Sequence, residues 1–275
     1  FWRSALAGVA LGLGVLAVQG FGVYRGLSRF GPGLWIYLVT TAVPGVLFVV
    51  AITLTAVANV VFIIAAMPAF AALQSWVFLG ERPSRRMLWT MLAVAIGIGV
   101  IAFGSGETEG ASRIGDLVAI AIAAIFAGSL TTARKLRANS LVPAVPFAHA
   151  LAALALLPFV DPFAVAPGSW LLVALHGGVF VAVSTAMMAL GPRYLPSAEF
   201  ALLILLESVL APVLAWAVIG EDPGSWALIG GAIVLGALAI SNGIALTRRR
   251  RVRAAPGTSV PQTVLPGDDP SPGKK

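Results

Sequence analysis

Glu207 is the one formally charged residue placed deep inside a long apolar stretch of this sequence, 198–219. An ionised carboxylate at the centre of a bilayer costs on the order of 3 kcal/mol on insertion scales, so such a group faces protein or water and is a candidate for holding a cationic group or exchanging a proton. At helical spacing it shares a stripe with Leu203, Leu210 and Leu214. A second polar stripe runs through Asn59, Met67 and Gln74, at spacings of eight and seven. Two amides and a thioether suit the binding of a polar or amphipathic solute; the same residues also read as interhelical hydrogen bonds with Met67 as filler. His176 and Ser184, eight apart, border the same space, whereas His149 has no comparable companion. Glu207, Asn59, Met67, Gln74 and His176 are thus the candidate substrate-binding residues. No catalytic, cofactor or metal site is expected. Cysteine is absent, the two histidines lie on different stretches, and neither a phosphate-binding Gly-x-x-x-x-Gly-Lys-Ser/Thr loop nor a His-Glu-x-x-His pair occurs. Gly12-Leu13-Gly14 loosely matches a dinucleotide fingerprint but sits in an apolar run with no strand before it, and Gly8 with Gly12 reads as close helix packing instead.

The elements that position these residues follow from composition. With 59% hydrophobic and 11% charged residues and a mean hydropathy of +0.96, the chain carries more apolar surface than a soluble core of 275 residues buries. Stretches near the twenty or so residues that cross about 30 Å of hydrocarbon recur at 4–23, 34–79 (long enough for two), 87–104, 115–133, 141–160, 170–190, 198–219 and 226–246. The expected fold is an all-α polytopic membrane protein of nine spans. Pro44, Pro68 and Pro212 fall inside spans, where a lost backbone bond permits bending.

The net charge of +7 is explained by location rather than by nucleic acid. Threading the spans alternately puts sixteen of the eighteen Lys and Arg residues in one set of connections, 24–33, 80–86, 134–140, 191–197 and the tail from 247; only Arg3 and Arg113 fall in the other set. This asymmetry places the basic set, and the C-terminus, in the cytoplasm of a multi-pass cell (inner) membrane protein. Acidic residues, among them Glu107, Glu109, Asp116 and Asp161, fall near the outer connections. Arg248 to Arg251 read as a stop-transfer anchor, and the Pro/Gly/Ser-rich tail beyond them lacks hydrophobic periodicity and is expected to be disordered.

The sequence also repeats itself. At an offset of 140, Trp76, Gly80, Glu81 and Pro83 coincide with Trp216, Gly220, Glu221 and Pro223, one copy in a basic connection and the other in an acidic one. The copies therefore have opposite orientations in the bilayer. Inversion requires an odd number of spans per repeat, and the second copy supplies five; the partner of 115–133 would fall before residue 1, so a first helix is expected to be missing from this sequence. The expected domains are a first repeat over 1–106 with four helices, a second over 114–247 with five, and a basic cytoplasmic tail over 248–275.

Inverted repeats are a hallmark of secondary transporters. A half that ends in a long apolar helix, then Trp-x-x-x-Gly-Glu-x-Pro, then a last apolar helix resembles the EamA family of the drug/metabolite transporter superfamily. That resemblance covers about 1–247 and implies two inverted five-helix repeats and export of small metabolites such as amino acids. The chain departs from the family in lacking the first helix, and in having Glu207-Ser208 where a Glu-Pro pair is frequent, with Pro212 four residues on. The expected partners are the lipid bilayer and a small-molecule substrate, without nucleic acid, in a monomer or homodimer. The expected activity is non-enzymatic export by alternating access, with Glu207 as the site of any proton coupling. Two rivals are a membrane-embedded transferase, which needs a cluster of acidic, His or Cys residues that the sequence does not display, and a non-transporting scaffold or sensor.

Overall fold

A chain without water around its backbone must satisfy its N–H and C=O groups inside its own helices. The computed structural model, which describes residues 1–105, 111–136, 140–194, 197–220 and 222–254, is built from helices and short turns. The main elements are α1 (Trp2–Gln19), α2 (Pro32–Leu54), α3 (Val57–Ala65), α4 (Met67–Leu79), α5 (Arg85–Gly104), α6 (Arg113–Lys135), α7 (Val145–Leu156), α8 (Trp170–Ala174), α9 (Ala182–Tyr194), α10 (Ser197–Ile219) and α11 (Gly224–Ala254). Among the described residues eight helical spans are long and apolar enough to cross a membrane; α10 is a 23-residue helix whose stretch Leu206–Val218 is apolar. α8 and α9 belong to one span, joined by a π-helical segment, Leu175–Val181.

Local chemistry sets the breaks. The 34–79 run divides at Thr55, whose extended backbone (φ −149°, ψ 167°) ends α2. Pro68 lacks the N–H that would continue α3, and the chain bends at Ala66, so Met67 opens α4 at the elbow. The repeated motif has the same physical cause in both copies. Gly80 (φ +70°) and Gly220 (φ +77°) adopt the left-handed conformation that glycine tolerates, and their N–H groups return to the carbonyls of Trp76 (3.2 Å) and Trp216 (3.0 Å). Each copy is a helix stop. α11 continues to Ala254, so Arg248 to Arg251 extend a helix rather than begin the tail; residues 255–275 lie outside the described residues.

Small residues fix the packing. α5 lies along α11 with backbones nearly touching: a Cβ on Gly97 would stand 2.8 Å from the Gly230 carbonyl oxygen, and one on Gly230 would stand 2.6 Å from that of Gly97. α1 lies on α7 at Gly8, where a Cβ would meet the Pro146 carbonyl at 3.2 Å, which confirms close packing for the Gly8 turn. α6 runs between α2, α3 and α4, and Ala58, Val60, Ile63, Ile101, Ala119 and Ile122 form the central core. Half of the apolar window of Val57–Leu79 is buried, against 11% for Pro167–Met188, so α3 and α4 form the enclosed centre and α8–α9 a flank.

The connections gather at two ends. At one, Glu81 pairs with Arg134 (2.9 Å) and Gly33 faces the Leu136 side chain. Both charged groups are half-exposed, so that pair contributes little stability. At the other, Trp2 Nε1 donates to the Pro162 carbonyl (2.6 Å), the rings of Trp2 and Trp170 meet edge to face, Phe103 meets Trp226, and the Ser112 N–H donates to Thr55 Oγ1 (3.2 Å). The first end carries the basic connections.

Candidate functional site

Between α2, α4 and α6, at the basic end, lies a groove of about 740 Å³. That is within the range of about 300–1,000 Å³ typical of small-molecule sites. Phe30, Ile36, Phe78 and Leu79 supply apolar walls; Thr40, Gln74, Thr131, Thr132 and Lys135 supply the polar groups. Gln74 is held by its Nε2, which donates to the Ala124 carbonyl at 2.7 Å. Its Oε1 stands 3.5 Å from the Thr131 hydroxyl, which donates more closely to Ala127 (3.0 Å), so the amide oxygen keeps accepting capacity toward the groove. Gly128 makes room beside it, its missing side chain facing Thr40. A mostly apolar cleft with one oriented amide, three hydroxyls and an ammonium at its mouth is equipped to bind an amphipathic solute and has no group set for covalent chemistry.

The opposite end is closed by a buried polar cluster. Asp116, one turn into α6 and 1% exposed, accepts from Thr55 Oγ1 (3.0 Å) and Asn59 Nδ2 (3.1 Å) on Oδ1, and from the Ser105 hydroxyl on Oδ2. Asn59 also donates to Ser105 Oγ at 2.8 Å. These four side chains come from the ends of α2, α5 and α6 and the start of α3. Gly115 permits the contact, because a Cβ there would sit 2.5 Å from that of Thr55. A carboxylate that accepts several donors in a dry setting is the kind of network that rigidifies a junction.

The structure distributes the five candidates rather than gathering them. Gln74 lines the groove. Asn59, 3% exposed, belongs to the polar cluster at the other end, and Met67, 5% exposed, is packed at the α3–α4 elbow. Glu207 is exposed on α10, along with Leu203, Leu210 and Leu214, and His176 is exposed on the π-helical segment. Sequence reasoning missed Asp116, Thr55 and Ser105, and it missed the groove threonines. The one available sign was the Thr55/Asn59 pair at i, i+4, followed by serine and aspartate at the facing ends of the next two spans.

A model of the EamA-like transporter family matches residues 1–103 and 113–243. No curated protein matches the chain. Among seven solved chains that match, one described as "Crystal structure of protein" aligns with a TM-score of 0.60 at 22% identity, over 90% of this chain and 88% of that one. At that identity the likeness concerns the fold alone.

Proposed function

Since this chain belongs to the EamA-like transporter family, we propose that it exports a small amphipathic metabolite of amino-acid character from the cytoplasm by alternating access, with the groove between α2, α4 and α6 as the substrate path. The observation that carries the reading is the pairing of a 740 Å³ groove at the basic end with a buried polar lock at the other. A cleft open to one side and sealed on the other is one of the two states that alternation requires. In this reading the Lys135 ammonium attracts a carboxylate at the mouth, Gln74 Oε1 receives an amino or hydroxyl donor, and Phe30, Ile36 and Phe78 cover the apolar body. Asn59 and Met67 then act on the hinge and lock, outside the binding set. Glu207 and His176 enter only when α10 and the π-helical segment close toward the groove; proton coupling through Glu207 belongs to that step. The inverted pairing of repeats over 1–106 and 114–247 is part of the proposal, and the matching helix stops at Gly80 and Gly220 favour it.

Efflux from cells loaded with single amino acids tests the site. Gln74→Ala should weaken apparent affinity about tenfold, as expected for one lost hydrogen bond of roughly 1.4 kcal/mol. Glu207→Gln should leave affinity unchanged and flatten the dependence of rate on pH. Wild-type affinity in Gln74→Ala would remove the groove from the substrate path, and an unchanged pH profile in Glu207→Gln would end the coupling role.

The proposed orientation has the basic end in the cytoplasm and the C-terminus with it, following the sixteen-to-two division of Lys and Arg. Both Arg82 and Gly168 are exposed, at opposite ends. A cysteine replacing Arg82 should react with an impermeant maleimide only after the cells are opened; one replacing Gly168 should react in intact cells. Labelling of both from one side would contradict the orientation.

A further inference from the structure

Away from the groove, and independent of the transport reading, a cavity of about 20 Å³ lies between α1, α2 and α7. It is lined by Arg3, Ser4, Thr41 and His149, with Ala42, Gly45, Ala148 and Ala152 completing the wall. Arg3 projects from the first turn of α1 into the bundle. One of its terminal nitrogens, Nη1, reaches the Gly45 carbonyl at 3.4 Å, a long contact, while Nε is buried and has no hydrogen-bond partner. The Thr41 hydroxyl is likewise buried and makes no hydrogen bond of ordinary geometry, its polar side-chain neighbour on α2 being Tyr37 a turn earlier.

A guanidinium does not lose its proton in proteins; Arg3 is half-buried with its Nε enclosed, and a charge drawn part-way out of water without a counter-charge is costly. Among the described residues the ion pair is Glu81–Arg134, at the far end of the molecule; no carboxylate joins Arg3. Every polar side chain lining the cavity is able to donate a hydrogen bond, and none is anionic. The space exceeds the roughly 10–15 Å³ needed for one water-sized occupant. Water would satisfy Nε and leave the charge uncompensated. A monatomic anion does both.

We propose that Arg3, Ser4, Thr41 and His149 form a binding site for one halide-sized monovalent anion, which ties α1 to α2 and α7. The probes are chloride and bromide, compared with gluconate at equal ionic strength, on the full chain in nanodiscs. Chloride at about ten times its dissociation constant should raise the midpoint of thermal unfolding by about 3–5 °C, and the midpoint should go on rising with the logarithm of chloride concentration, as linkage to a single site requires. Thr41→Val removes one donor without touching the charge, and should move the chloride concentration that gives a fixed midpoint shift about tenfold upward. Arg3→Leu should abolish the response. A crystal grown with bromide should carry one anomalous peak in the cavity. Equal midpoints in chloride and gluconate for the wild type would overturn the site, as would an undiminished response in Thr41→Val or a water in the cavity with no bromide peak. If Arg3→Leu does not fold, the wild-type comparison and Thr41→Val still decide.

Discussion

Asp116→Ala is expected to lower the unfolding midpoint by about 5–10 °C, taking about 2–4 degrees per kcal/mol for a chain of this size class. The substitution strands the Thr55 hydroxyl and takes one acceptor each from Asn59 and Ser105, which keep Ser105 Oγ (2.8 Å) and the Ile101 carbonyl (3.1 Å) respectively. Each orphaned buried group costs about 1–3 kcal/mol, moderated in a membrane because the unfolded reference also finds partners. Asp116→Asn keeps the volume and one carbonyl acceptor. The Thr55 and Ser105 hydroxyls can turn to accept from the new amide, so about half the loss is expected. The comparison separates the hydrogen-bond network from mere packing: a packing role gives a large effect for alanine and almost none for asparagine. Unfolding of the purified variants, followed by tryptophan fluorescence, reads both. Alanine melting with the wild type would show that the cluster does not hold the α2–α3, α5 and α6 ends together.

The second large effect is expected at the α5–α11 contact. In Gly97→Ala the new methyl meets the Gly230 carbonyl oxygen at 2.8 Å and a Val234 methyl at 2.7 Å. The side chain can yield; the carbonyl is part of a helix and cannot. The helices must separate, at a cost of about 1–3 kcal/mol for overpacking. Gly230→Ala does the same from the other side, against the Gly97 carbonyl at 2.6 Å. Because either methyl forces the same separation, the double variant should lose clearly less than the sum of the two single losses. Strict additivity of the midpoints would mean that each helix adjusts locally and that the backbones are not in close contact.

Much of the fold is legible in the sequence because hydrocarbon imposes a simple pattern. Of nine apolar stretches, eight became helices long and apolar enough to cross a membrane among the described residues and the ninth became α10, apolar over Leu206–Val218, while the Trp-x-x-x-Gly-Glu-x-Pro copies became two helix stops with left-handed glycines. The site was less legible. Asn59, Met67 and Gln74 share a stripe only if 57–79 is one straight helix. Even then a helix rises about 1.5 Å per residue, which sets Asn59 and Gln74 roughly 22 Å apart, so Asn59 reaches the polar cluster at one end and Gln74 the groove at the other. Asp116 is the second residue of the 115–133 stretch, near an outer connection, and a carboxylate near a span end looks solvated until its neighbours are known. Threonines and serines carry no periodic signal, so Thr55, Ser105 and the threonines of the groove emerge only when separate helices are brought together.

The central claim is that the chain moves an amino-acid-like solute through the groove. Counterflow in proteoliposomes tests it most directly, since exchange needs alternation but no coupling ion. Vesicles preloaded with one unlabelled amino acid are diluted into a trace of the same labelled compound, for each standard amino acid in turn. At least one should accumulate transiently above the level in protein-free vesicles, and the accumulation should fall in Gln74→Ala reconstituted to the same density. If folded wild-type protein, with its unfolding midpoint intact in the vesicles, exchanges none of them, the account is contradicted.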